Sequence, residues 1–222
     1  MLAQRDRHVV QNLPAFDEKL LHFGFTLGYN NADFYTDLNE GFIQDSTMSV
    51  FNRRQPGFNL GIISSLNVHP NISFRFLPAL SFQDRVLEYS IMRNGEISRL
   101  DKRVESTFLD FPLVMKLRTN RINNFAAYVV MGGKYAVDMS SQEDVKMDGA
   151  GINDMIVRIR RHDYAAQVGV GTDFFLPYFK FGIELKLSVG LRNSLVRDNS
   201  ILTAPIDQLR NKLFLLSFTF EG

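Results

Sequence analysis

Histidine and cysteine, the residues most often used for catalysis or metal binding, are scarce in this chain of 222 residues. There is no cysteine, and no pair of histidines has the H-x-x-x-H or H-E-x-x-H spacing of a metal site. The adjacent His162 and Asp163 would form a Ser/His/Asp arrangement only if folding brought a serine to them. The candidate serines are Ser90, Ser140 and Ser141. We therefore predict no catalytic, cofactor-binding or metal-binding residues, and no enzyme.

Charged residues occur instead with a strict alternation. In residues 179–191 every odd position is large and apolar, and every even position is charged, hydroxylated or glycine. A period of two indicates a β-strand whose two faces meet different surroundings. An uncharged apolar face opposite a charged, glycine-rich face is typical of a strand between lipid and a polar barrel lumen.

The same alternation recurs in about eight segments. They span roughly 21–29, 58–68, 72–82, 109–117, 125–137, 164–174, 179–191 and 214–220. A tilted membrane-crossing strand needs roughly 10 residues, and bacterial barrels have an even number of strands. We therefore predict an all-β protein, a closed antiparallel up-and-down transmembrane β-barrel of about eight strands, with residues 20–222 as the barrel domain.

The predicted connections alternate between long and short. The long, polar ones are 31–56, 84–102, 138–162 and 192–209, and the short ones are 68–71, 119–124 and 176–178. Outer-membrane barrels have short periplasmic turns and long extracellular loops, so both termini are expected in the periplasm. Residues 1–19 are then a periplasmic lead-in, with residues 1–4 expected to be the remnant of a cleaved signal peptide.

The predicted lumen is narrow, because an eight-stranded barrel encloses only enough space for side chains. Charges of both signs should pair there, since an unpaired buried charge is costly. We predict a lumen charge network that fills the barrel and excludes a pore for folded cargo; a proton or ion path is the alternative interpretation. The residues assigned to this network are Arg75, Arg85, Asp110, Lys116, Arg118, Lys134, Asp173, Glu184 and Lys186.

The 138–162 connection changes from acidic, at Glu143 and Asp144, to basic, at Arg158, Arg160 and Arg161. One interpretation is a solvated loop that extends the next strand. The other is contact with lipopolysaccharide phosphates or an acidic partner, because arginine forms bidentate bonds to such groups. A formal net charge of +1 without a basic stripe argues against nucleic acid as a partner.

A soluble eight-stranded barrel such as a lipocalin, with the apolar face around a ligand, is the competing fold. The mean hydropathy of −0.09 does not separate the two, because alternation cancels the average. Phenylalanine on nearly every strand would leave little cavity inside a soluble barrel. The glycines lie on the polar face, where a narrow lumen needs small residues. These features favour the membrane barrel.

Several motifs together resemble the PorT family. The opening matches at 12–17 (NLPAFD) and 19–28 (KLLHFGFTLG), and the most family-like stretch is 178–186 (YFKFGIELK). Further matches are 55–58 (QPGF), 75–78 (RFLP) and 109–113 (LDFPL), although 126–128 read AAY where the family pattern has arginine-proline-tyrosine. The resemblance covers about residues 5–222.

The resemblance implies an outer-membrane component of the type IX secretion system of Bacteroidota. That system exports cargo with C-terminal signals and, in gliding relatives, supports motility. We expect a non-enzymatic accessory or structural subunit that acts through its loops, periplasmic segment or outer wall. Expected partners are outer-membrane lipids, lipopolysaccharide, and a translocon barrel or periplasmic secretion subunits. The alternative is a generic small barrel that serves as a surface adhesin or envelope-stability protein.

Overall fold

The computed structural model describes residues 11–38, 47–93, 96–141, 157–196, 203 and 206–222. These residues form β1 (Leu21–Leu38), β2 (Thr47–His69), β3 (Ile72–Phe76), β4 (Ala79–Arg93), β5 (Glu96–Arg118), β6 (Phe125–Asp138), β7 (His162–Phe175), β8 (Lys180–Gly190) and β9 (Ile206–Glu221). Within these ranges no helix has both the length and the hydropathy needed to cross a membrane. Residues 1–4, interpreted as a signal remnant, and Glu143 and Asp144 lie outside the described residues.

The strands form one antiparallel sheet that closes on itself, because β1 pairs with both β2 and β9. β3 and β4 each pair with β2 on one side and β5 on the other. They are therefore two halves of one strand position, interrupted at Leu77 and Pro78, where proline lacks a backbone N–H. Nine strands occupy eight positions around the ring, and the predicted all-β up-and-down fold is confirmed.

The apolar face of the sheet points outward and the ionic face points inward. Phe23 is 61% exposed and Phe58 56% exposed, whereas the Arg75 side chain is 0% exposed. The soluble barrel with an apolar interior is therefore wrong for this chain. Five outward phenylalanines form one cross-strand row, with neighbouring ring centroids 4.7–6.4 Å apart. They are, in order, Phe25, Phe220, Phe181, Phe174 and Phe125.

Two of the four long loops expected from the sequence are largely strand and a third is shorter than expected, so that part of the prediction is wrong. β1 continues to Leu38 and β2 begins at Thr47, inside 31–56; β4 and β5 likewise extend through most of 84–102. β9 begins at Ile206, inside 192–209. The lipid-facing pattern ends there because the outer face no longer meets lipid and the inner face packs apolar residues such as Phe34 and Leu87. Backbone pairing nevertheless continues, as at Arg85 and Val104.

The remaining connections agree with the sequence. β6 ends at Asp138 and β7 begins at His162, which are the predicted limits of the 138–162 loop. The three short turns lie at one end of the barrel, together with the N-terminal segment and Gly222, whose backbone N–H donates to Phe23. We refer to this end, with turns 70–71, 119–124 and 176–179, as the turn end. The opposite end is the loop end.

Gly171 gives a test of the close packing inside the barrel. A Cβ at this inward position would lie 2.4 Å from Cζ of Tyr128 and 2.7 Å from the backbone oxygen of Ile183. We expect Gly171→Val to destabilise the barrel by about 1–3 kcal/mol, because overpacking forces neighbours out of their positions. The measurement is a urea titration of the heat-modifiable folded form in detergent micelles.

The matched control is Gly133→Val on the outer face. A Cβ there meets no atom nearer than 3.9 Å, so this substitution is expected to leave the midpoint close to that of the native chain. Equal midpoints for the two variants would contradict the packing described for Gly171.

Candidate functional site: the closed lumen

The barrel interior concentrates the charged chemistry of the molecule. Among the described residues, six basic and six acidic side chains are buried. The basic ones are Arg75, Arg85, Lys116, Lys134, Lys180 and Lys186, and the acidic ones are Asp110, Asp138, Asp163, Asp173, Glu184 and Glu221. Formal charges of equal number and opposite sign therefore face each other in a space closed to bulk water.

Arg75 crosses the lumen from one wall to the other. It lies on β3, the third of the eight positions, and β8, the seventh, is directly opposite. Its Nη1 donates to Oε2 of Glu184 at 2.9 Å and its Nη2 to Oε1 of Glu221 at 3.2 Å. Lys186 Nζ lies 2.7 Å from the second oxygen of Glu184, and Lys180 Nζ lies 3.0 Å from the second oxygen of Glu221. Five charges thus form one continuous chain.

Two further ion pairs line the same interior. Lys116 Nζ donates to both oxygens of Asp173, at 2.7 and 2.9 Å, and lies 3.6 Å from the centroid of the Tyr128 ring. Lys134 Nζ lies 3.0 Å from an oxygen of Asp110 on the neighbouring strand. With the chain through Arg75, these pairs bring together seven of the nine residues assigned to the lumen from the sequence.

Arg85 is also buried inside, but none of the described carboxylates lies within ion-pair distance of its guanidinium. It donates to the side-chain oxygen of Gln83. Its guanidinium carbon lies 4.9 Å from the ring centroid of Phe34 and 5.4 Å from that of Phe108. Cation–π contacts of this kind stabilise a desolvated guanidinium. A carboxylate partner is expected for Arg85 from the sequence, whereas in the structure its guanidinium contacts two aromatic rings.

Arg118 lies at the turn end and not within the lumen. Its Nη1 donates to Asp17 at 2.8 Å and its Nη2 to the backbone oxygen of Pro70 at 2.8 Å. Asp17 belongs to the N-terminal segment, which closes this end. Phe16 packs there against Ala126 and Phe175, a cluster that we call the turn-end seal.

A second apolar cluster closes the loop end. Its members are Phe34, Leu87, Tyr89, Val157, Ile159, Leu195, Ile206 and Leu209, and we call it the loop-end seal. They come from strand extensions and from segments 157–159 and 195, where Ile159 bridges to Leu195. Burial in this cluster raises the pKa of Tyr89, because the phenolate is disfavoured away from water. Both ends of the lumen are thus covered by apolar side chains.

The three arginines predicted to contact lipopolysaccharide or a partner lie beside this seal. Arg158 and Arg160 are half-buried and alternate with the buried Val157 and Ile159, whereas Arg161 is exposed. The backbone is tied to the next segment: the N–H of Arg160 donates to Ser194 at 2.8 Å, and the Arg158 oxygen accepts from Val196 at 3.1 Å.

The adjacent His162 and Asp163 point to opposite faces of β7. His162 is exposed and its Nδ1 shares a hydrogen bond of 2.8 Å with the hydroxyl of Tyr135. Asp163 is buried and accepts from Asn211 at 2.7 Å. The two side chains therefore do not meet. In the part of the chain that the structure describes, no three His, Asp or Glu side chains form a group that could hold a metal ion.

Sequence reasoning did not identify several members of the interior. Lys180 and Glu221 continue the alternation of the last two strands, so the pattern contained a signal for them. The two seals carry no such signal. Phe16 is a single aromatic residue in a polar segment, and the members of the loop-end seal come from regions without a period of two.

A closed barrel with an apolar outer wall and an ion-paired interior is the architecture of bacterial outer-membrane proteins. The family model described as "Outer membrane protein beta-barrel domain" matches residues 2–196. The chain belongs to this family and is a protein of the outer membrane.

Two solved structures match along most of the chain. Ail, the attachment invasion locus protein of Yersinia pestis, in complex with the heparin analogue sucrose octasulfate, is 14% identical with a TM-score of 0.39, covering 92% of this chain and 100% of that chain. The outer membrane protein OprG from Pseudomonas aeruginosa is 11% identical with a TM-score of 0.45, covering 91% and 93%. No curated protein matches the chain.

Replacing Arg75 tests the charge chain. We expect Arg75→Met to lower the free energy of unfolding by about 3–5 kcal/mol, because Glu184 and Glu221 lose the cation that joins them. The triple variant Arg75→Met, Glu184→Gln, Glu221→Gln is expected to be destabilised further, because Lys186 and Lys180 then also lose their carboxylate partners. The readout is urea unfolding in detergent micelles.

Arg103→Met is the control for this experiment. Arg103 pairs with Asp84 and Glu105, but its side chain is 60% exposed, so the loss is expected to stay within about 1 kcal/mol. A loss of the same size for Arg75→Met would mean that the buried chain contributes no more than a surface ion pair.

Proposed function

We propose that the chain is a non-enzymatic accessory or structural subunit of the type IX secretion apparatus, and not its cargo pore. The occupied lumen is the observation that supports a barrel other than the cargo pore, because Arg75 crosses the lumen and two apolar seals cover it. The resemblance of residues 12–28 and 178–186 to the PorT family supports the role as a subunit of the secretion apparatus. Through that resemblance the proposal extends to Bacteroidota and, in gliding relatives, to motility.

An occupied lumen leaves three surfaces for work with other proteins. These are the outer wall, the loop end and the N-terminal segment at the turn end. We place the turn end, with both termini, in the periplasm, because short turns face that side in barrels of this class. The N-terminal segment then faces periplasmic subunits of the apparatus, and the loop end faces outward.

Arg158, Arg160 and Arg161 are our candidates for contact with lipopolysaccharide phosphates or an acidic partner. Two features support this assignment. Their segment is fixed by backbone hydrogen bonds to Ser194 and Val196, so the guanidinium groups are presented from a defined surface. Arginine also suits phosphate and carboxylate groups, because its planar fork of donors binds two oxygens at once.

A surface adhesin or envelope-stability barrel is the second candidate. The observation that favours it is the length of the strands at the loop end, where β4 reaches Arg93 and β5 begins at Glu96. Aromatic side chains are exposed on the extended strands, with Tyr35 58% and Phe51 63% accessible. A projecting wall with exposed aromatic residues is suited to binding at the cell surface.

Planar-bilayer recording tests the claim that the barrel is not a pore. We expect the purified protein to give no large, steady conductance, because ion pairs and side chains fill the lumen. An open porin reconstituted in the same way is the positive control. A large, steady conductance from the native chain would overturn the closed-lumen interpretation.

Isolation of the tagged protein from native membranes in mild detergent tests the pathway. We expect translocon proteins to be co-isolated and identified by mass spectrometry. We also expect that a strain lacking the gene no longer secretes cargo with C-terminal signals. Arg158→Glu with Arg160→Glu is expected to reduce recovery of an acidic partner or of lipopolysaccharide, because like charges repel across the contact.

Arg53→Glu is the matched control for the double reversal, because Arg53 has an exposed side chain on another strand and pairs with Glu88. Normal secretion in the deletion strain, with no co-isolated translocon protein, would reject the secretion role and leave the surface-barrel alternative. Unchanged recovery in the double variant would reject only the arginine contact.

A further inference from the structure

The N-terminal segment, residues 11–19, touches the barrel without joining its sheet. Two backbone hydrogen bonds run within the segment, from the N–H of Phe16 to the oxygen of Leu13 at 3.1 Å and from the N–H of Lys19 to that of Phe16 at 3.4 Å. Backbone pairing with the barrel begins only at Leu20, which accepts from Asn67 at 2.8 Å. The segment can therefore leave the barrel without breaking a strand ladder, which is the property of a locally low-stability unit.

One side chain of the segment occupies a socket in the mouth of the barrel. The ring of Phe16 stacks on His22 with centroids 3.8 Å apart and meets Phe175 edge-on at 6.0 Å. Lys180 Nζ lies 4.6 Å from the centroid of the same ring. Phe16 is thus in direct contact with one end of the charge chain that runs through Arg75.

Leu13 packs against the turn-end seal, and the segment also makes polar contacts on the rim. Asp17 accepts from Arg118, and Asn12 donates through its side chain to the backbone oxygen of Phe175 at 2.9 Å. Arg121 donates to the backbone oxygen of Asn12. These contacts come from individual side chains, so single substitutions weaken the attachment without changing the barrel wall.

Two observations indicate that the segment is not optimally packed against the barrel. Leu13 has φ of 49°, a left-handed conformation that is uncommon for a residue with a side chain. Beside Phe16 lies a cavity of about 20 Å³ whose lining includes Ser73, Lys116 and Asp173, together with Pro70 and Asn71 of the rim. It is large enough for a single water molecule, and Phe16 forms part of its wall.

We propose that residues 11–19 form a detachable plug. Phe16 leaves its socket and Asp17 leaves Arg118 together, and the opened mouth exposes Lys116, Asp173 and Lys180 to solvent while the sheet stays closed. A partner that binds the withdrawn segment shifts the population toward the open mouth by its preference for that state.

Cysteine labelling tests this plug, because the chain has no cysteine of its own. Ser73→Cys places one thiol in the cavity beside Phe16. Its reaction with a water-soluble, membrane-impermeant maleimide is measured in the otherwise native chain and with Phe16→Ala, Asp17→Asn or both. Because Ser73 is partly exposed, the readout is the ratio of rates. We expect labelling at least about tenfold faster in the double variant than with the native segment, because a tenfold change corresponds to a modest shift in the opening equilibrium.

Ser81→Cys is the matched control, since Ser81 is 0% exposed and points inward nearer the loop end. Its labelling is expected to stay slow in every background, and heat-modifiability on gels confirms that each barrel is folded. Equal labelling at position 73 with and without the plug substitutions would overturn the proposal. Faster labelling at position 81 in parallel would also overturn it, because the whole barrel would then have loosened. Asp17→Asn alone acts only at the rim, so it keeps the test valid if Phe16→Ala fails to fold.

Discussion

The salt bridges of Arg75 to β8 and β9 are the interaction on which the rest of the structure depends. A guanidinium on one wall reaches carboxylates on the opposite wall, so the lumen is spanned by protein and not by water. Burying charge is costly unless each charge is paired and hydrogen-bonded. Nine of the twelve buried charged side chains of the described interior are ion-paired, and Arg85, Asp138 and Asp163 have hydrogen bonds to neutral groups. The lipid-facing part of the outer wall can then be largely apolar, because the buried charged groups of the strands point inward.

The second constraint is the limited space in the lumen, and glycine residues provide room for neighbouring side chains. Tyr128 lies over Gly171, and Lys116 in turn lies on the Tyr128 ring. A side chain at position 171 would displace the ring on which the ammonium group rests. The glycines of the inward face therefore belong to the same arrangement as the ion pairs, because long charged side chains can cross a narrow lumen only where a neighbouring position is empty.

The period of two predicted which face of each strand is buried, and this explains why residues such as Glu184 and Lys186 could be assigned to the interior from the sequence alone. The signal depends on a difference between lipid and lumen. It fails where that difference ends, so the strand extensions at 31–38 and 84–93 read as polar loops although they continue the sheet. Phe16 and the loop-end seal could not be predicted, because their burial results from long-range packing of segments that have no periodicity. The pattern also predicted that Arg85 points into the lumen, but it could not predict its contacts with the rings of Phe34 and Phe108.

The distribution of apolar residues inside the lumen favours a structural role for the charges over a proton or ion path. Ile63, Leu77 and Val114 pack together on the inward face. On β5, Val114 lies between Lys116 and Asp110. Leu77, at the interruption between β3 and β4, lies between Arg75 and Arg85 along the chain. Among the ion pairs of the described residues, none joins the chain through Arg75 to the Lys134–Asp110 pair. A conducting path needs continuous polar contacts from one end to the other, whereas this interior has an apolar cluster along its length and an apolar seal at each end.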